Sequence, residues 1–194
     1  MKSDVIIISN DGRGMDDALV QAEKTAQYKE LQARDALHLR LLTEEMLGMM
    51  RSITGEREGR FWIEDQDDVF QLHLQVETPM SFDKQEKLLA ASSSGKNEAA
   101  KGIMGKIRAF FDPLDWADAP MPMNPEVMNS AGTWSMNAYR QMVKESLDQK
   151  QEGAAEAWDE LEKSVVSNIA DDVKVSIQGR RVEMIIYIQI HPQQ

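Results

Sequence analysis

The stretch that most constrains this chain is Phe61 to Glu77, FWIEDQDDVFQLHLQVE, in which Phe70, Leu72, Leu74 and Val76 alternate with Gln71, His73, Gln75 and Glu77. A period of two places alternate side chains on opposite faces of a strand, so the apolar set must lie against a core and the polar set away from it. With Phe61 and Ile63 ahead of an Asp65–Asp68 turn, the pattern predicts a β-hairpin that covers a core with one face. His73 falls on the polar side, and none of the chain's histidines is paired at a ligand spacing, so it reads as a solvent-facing strand residue. A second hairpin is written near the other end: VKVSI, a Gln178-Gly179-Arg180 turn, then RVEMIIYIQI. Val182, Met184, Ile186, Ile188 and Ile190 share one face of that last strand, while Ile185 and Tyr187 lie on the other, which predicts a central place in the sheet.

Apolar sheet faces need helices to cover them. Asp35 to Ile53 supplies one, with Leu39, Leu42, Met46, Met49 and Ile53 at spacings of three and four and Asp35 as a candidate N-cap. Arg40, Glu44, Gly48 and Arg51 form a second face of this helix. A carboxylate there stands one turn from a residue with no side chain, leaving a place for something to approach. Ahead of it, Val5–Ser9 predicts a strand, Asn10-Asp11-Gly12 a turn, and Ala18–Gln32 a helix capped by Asp16 or Asp17, with Leu19, Ala22, Ala26 and Leu31 facing inward. The loop DGRGMDD lacks the third glycine of a dinucleotide fingerprint and the Gly-Lys-Ser/Thr of a P-loop, so it reads as a turn before a helix.

After the first hairpin come a short helical stretch at Asp83–Ala91 and an irregular, proline-rich connection at Asp112–Gly132. A helix capped by Thr133 follows, then a longer one over Glu152–Ile169 with Ala155, Trp158, Leu161, Val165 and Ile169 as its stripe. The order β, α, α, ββ, α, α, ββ has no parallel β-α-β rhythm. It predicts an α+β fold over residues 1–194: a two-layer sandwich whose helices pack on one face of a mostly antiparallel, mixed sheet.

The 33 acidic against 22 basic residues leave a formal charge of −11, which repels phosphate backbones and anionic lipid and argues against nucleic acid or membrane as partners. Cysteine is absent, which excludes disulfides, thiolate metal sites and a cysteine nucleophile. No His-Glu-x-x-His, Ser-His-Asp or paired-histidine spacing occurs. With no apolar run long enough for a signal-peptide core or a span, the chain reads as cytoplasmic. Lys96, Lys101, Lys106 and Arg108 make SSSGKNEAAKGIMGKIRAFF the most basic region, the one electrostatic hint of an anion site. It is not a P-loop: Ala90 occupies the first glycine position and Asn97 the hydroxyl position.

The element order and several residues resemble the GHKL (histidine-kinase-like) ATPase domain, in particular its anti-sigma-factor serine-kinase branch. TEEMLGMM resembles that family's acidic helix, with Glu44 at the acidic position. FWIEDQDDVFQLHLQV resembles its hairpin, SSGKNEAAKGIMGKI its lid and second glycine box with Gly102 and Gly105, and DVKVSIQGRRVEMIIYIQIHP its closing strands. The resemblance implies ATP or a related nucleotide as ligand, Glu44 as the group that positions or deprotonates the attacking species, and Gly48, Glu77, Ser94, Gly95, Lys96, Gly102 and Gly105 around the nucleotide. Residues 112–150 resemble an insertion in a minimal domain.

Two departures bear on chemistry. Gly48 stands where the family's magnesium-binding Asn would be, so the triphosphate's metal loses its main protein ligand. Glu77-Thr78-Pro79-Met80 replaces Asp-x-Gly-x-Gly, which removes the glycines that allow close approach to the base. Glu77 could take the adenine-reading role only with a shifted backbone. The resemblance therefore implies a regulatory protein that binds nucleotide with little or no catalysis. The alternative is a non-catalytic protein-interaction module on the same fold, engaging a partner through Asp112–Met128 and the helix that follows; in a third reading, an unrelated α+β domain, Glu44 is only a solvated helix residue.

Overall fold

A computed structural model describes residues 1–51, 58–77, 133–178 and 181–190. In chain order these form β1 (Ile6–Ser9), α1 (Met15–Tyr28), α2 (Ala33–Arg51), β2 (Glu58–Gln66), β3 (Val69–Glu77), β4 (Thr133–Ser135), α3 (Met136–Asp148), α4 (Ala154–Lys163), α5 (Val165–Ile169), β5 (Asp172–Gln178) and β6 (Arg181–Gln189). The strands make one sheet in the order β1-β2-β3-β6-β5-β4. Every pairing among them is antiparallel, so the mixed character expected of the sheet is not found among the described strands. An antiparallel ladder needs only short connections between neighbours, and both hairpins pair residues close in the chain, Gln66 with Val69 and Gln178 with Arg181. Asp67 and Asp68, with φ of 50° and 65°, join Gln66 to its register partner Val69; two consecutive positive φ values match the right-handed twist of the strands they connect.

The order is symmetric about the β3–β6 ladder. A β-α-α-β-β half ends on β3, a second half with one extra short helix ends on β6, and His73 and Ile185, the central residues of these two strands, are register partners.

Alternation along the strands builds the core. Ile8, Phe61, Ile63, Phe70, Leu72, Leu74, Val76, Val173, Val175, Val182, Met184, Ile186 and Ile188 are buried together with Met15, Ala18, Ala22, Leu39, Leu42, Met46 and Met49 of the first two helices. This is the two-layer α+β sandwich the patterns predict, with the α2 stripe and the β6 stripe placed as expected; Ile53 lies outside the described residues.

Several boundaries differ for local reasons. Gly14, not Asp16 or Asp17, occupies the N-cap of α1; its φ is 72°, and a Cβ there would lie 2.1 Å from the Ile7 carbonyl oxygen, so only glycine fits. Asp16, Asp17 and Asp35 instead sit in first turns, where a carboxylate opposes the positive end of the helix dipole. Thr133 caps no helix. It opens β4, whose Trp134 is fully buried opposite Val175, and Ser135 caps α3 by accepting from the Ala138 N–H at 3.4 Å. The expected helix over Glu152–Ile169 breaks at Ser164, which is extended and caps α5. The break resets the helical phase: Leu161 and Val166 are buried, whereas Val165, expected in the stripe, is 41% exposed. Asp83–Ala91 and Asp112–Gly132 lie outside the described residues. Among the described residues no helix is long and apolar enough to cross a membrane.

Candidate functional site

The resemblance draws Glu44 and Glu77 towards one ligand. Glu44 lies on the exposed side of α2, where its carboxylate accepts from Arg40 Nε at 3.2 Å and the same guanidinium pairs with Glu23 of α1. Such a ladder between neighbouring helices is what solvated charges one turn apart form. Gly48, one turn on, is also exposed, and a Cβ there would meet no atom within 4 Å. Glu77 ends β3 opposite Arg181 and shares its strand face with Gln75 and His73, the face turned away from the buried stripe. The sheet therefore stands between the two carboxylates. Ser94, Gly95, Lys96, Gly102 and Gly105 lie outside the described residues.

Glu77 belongs instead to a groove of about 670 Å³ on the face of the sheet that no described helix covers, walled on one side by the loop after β1. Ile7, Arg60 and Gln75 form one register row across β1, β2 and β3, and Ser9 with Glu58 the next. Asp11 holds the wall: it accepts from Ser9 Oγ, from the Arg13 backbone N–H at 3.0 Å and from Arg13 Nε at 2.9 Å. The Ser9 hydroxyl, with the Arg13 bonds after it, holds the Asp11 carboxyl down at about 2, since hydrogen bonds to a carboxylate favour its charged form.

Beyond the groove on the same face, the expectation for His73 is corrected. Its ring is 6% exposed and stacked on Trp62, centroids 4.6 Å apart and planes 11° from parallel. Nδ1 lies 3.2 Å from Glu183 Oε1 of β6, and Nε2 has no hydrogen-bond partner among the described residues. Trp62 donates from Nε1 to Glu64 at 2.8 Å and carries Lys2 Nζ 4.7 Å above its ring. Lys2 first, and Trp62 second, lower the Glu64 carboxyl. Alternation alone marks the face of such a residue, not how fully aromatic neighbours and long side chains cover it there.

Among the described residues no three His, Asp or Glu side chains gather closely enough to hold a metal ion. No family model matches the sequence, and no curated protein or solved structure is significantly similar to it.

Proposed function

We propose that this chain is a regulatory module that acts by binding a protein partner and performs no catalysis. The observation that supports it most is the placement of Glu44: its carboxylate is engaged by Arg40 on the helix layer, with the sheet between it and Glu77. A general base must reach the reacting group and be aligned on it, and Glu44 among the described residues has only Arg40 as partner. The sheet face that no described helix covers offers what a recognition surface needs: a groove with both signs of charge and an exposed aliphatic residue, Ile7, at its edge.

A second reading keeps the nucleotide. It rests on Gly48, beside which α2 leaves open space one turn from Glu44, the position at which the resemblance puts ATP. Magnesium has no ligand from Gly48 in either reading.

Calorimetric titration with ATP and with ADP, each with and without magnesium, separates the two. The interaction reading predicts no saturable heat and an unchanged melting temperature at millimolar nucleotide, where a real site would raise stability. Saturable micromolar binding, weakened by Lys96→Ala, would replace it with the nucleotide reading.

A further inference from the structure

We propose that the groove beside β1 docks an extended segment of a partner protein carrying an acidic and a basic side chain two residues apart, the acidic one on Arg60 and the basic one on Glu58 and Glu77. The proposal rests on the interaction reading above and names the chemistry of its partner.

The groove's charges fall into two groups. Asp11 and Arg13 satisfy each other within the wall. Arg60, Glu58 and Glu77 are exposed, and among the described residues none of the three is taken up by an ion pair or side-chain hydrogen bond. Arg60 lies in the row Ile7–Arg60–Gln75, while Glu58 lies in the following row and Glu77 one step further along β3 than Gln75. Side chains two residues apart on one face of a strand are separated by about 6.6 Å. A segment running along β2 in extended form repeats at the same spacing, so an acidic side chain over the first row brings a basic one over the second without bending. Gln75 can hydrogen-bond the segment's polar atoms, and Ile7, 51% exposed, gives an apolar neighbour at the β1 end.

The same charges exclude other ligands. Three carboxylates against two guanidiniums repel a phosphate or a nucleotide. A purely basic segment leaves the Arg60 guanidinium facing like charge, and a purely acidic one faces Glu58 and Glu77; like-charge juxtaposition is how an interface rejects wrong partners.

The test uses the full chain, nitrogen-labelled for amide NMR, and three short capped peptides of Thr and Val with Glu-Val-Lys, Lys-Val-Lys or Glu-Val-Glu at the centre. The expected result is that Glu-Val-Lys shifts the amides of Arg60, Gln75 and Glu77 saturably. Arg60→Glu should weaken that binding at least about tenfold, the scale of losing a close charge pair, without changing the melt, because Arg60 is exposed. Equal shifts from all three peptides, or none at millimolar concentration, would overturn the proposal. Failure of the interaction reading would show separately, as nucleotide-induced shifts at Gly48 on the helix layer.

Discussion

The Trp62 indole and the His73 imidazole stack on the face of the sheet that no described helix covers, 4.6 Å apart between centroids. Both residues are more than nine-tenths buried, so this pair forms a packed patch on that face beside the open groove. Trp62→Ala is expected to cost about 3 kcal/mol, the lower end for removing a buried tryptophan. His73→Phe keeps the stacked ring and removes the unpartnered Nε2, but it also removes the Nδ1 contact to Glu183, and is expected to cost about 1 kcal/mol, well below the tryptophan loss. Urea denaturation of the two variants checks the contrast.

Two glycines should respond in opposite directions to the same substitution. Gly14→Ala forces a Cβ to 2.1 Å from the Ile7 carbonyl oxygen at positive φ and is expected to destabilise severely or prevent folding. Gly48→Ala meets nothing within 4 Å in a helix interior and is expected to stabilise by about 0.5–1 kcal/mol. Thermal melts of both variants decide this.

Alkaline stability should depend on Lys29 and Tyr139. The bond to Asp65 raises the Lys29 ammonium, and burial, with Glu160 second, pushes the Tyr139 phenol up to about 12. Both folded values lie above the unfolded ones, so in the folded state each group keeps a proton that the unfolded chain releases. Their stabilisation is full below pH about 10, where the unfolded groups titrate, and is lost as pH rises through the folded values. Lys29→Met and Tyr139→Phe should flatten the stability–pH curve in that window, and phenolate absorbance should show one tyrosine ionising near 12.

At acid pH the loop walling the groove should outlast ordinary carboxylate contacts. With its carboxyl at about 2, below the unfolded value of about 3.9, Asp11 contributes its bonds above the unfolded value and loses them as pH falls through about 2. Asp11→Ala should raise hydrogen exchange at the amides of Gly12 and Arg13 at neutral pH, and leave exchange in β3 unchanged.

Much of the fold was legible because period is a strong signal where one face is buried: the β3, β6 and α2 stripes lie where alternation and helical spacing put them. What escaped was set by tertiary contact. Thr133–Ser135 is too short to show alternation, and it is a strand only because β5 offers an edge and the core a place for Trp134. Ser164 breaks a helix that has no proline or glycine at that point, and its own cap for α5 was the signal to read. For the candidate site, the resemblance put Glu44 and Glu77 around one ligand, whereas register parity of Glu77 with Gln75 and His73 separates them. The groove was not legible at all, since Ile7, Arg60 and Gln75 are scattered in sequence and meet only through strand pairing.

The most direct measurement of the central claim is phosphate release from ATP by the intact protein with magnesium, alongside Glu44→Ala. The account predicts release at the level of a protein-free control, identical in the variant. Steady turnover that disappears in Glu44→Ala would contradict it and show that Glu44 leaves its Arg40 partner to act on a bound nucleotide.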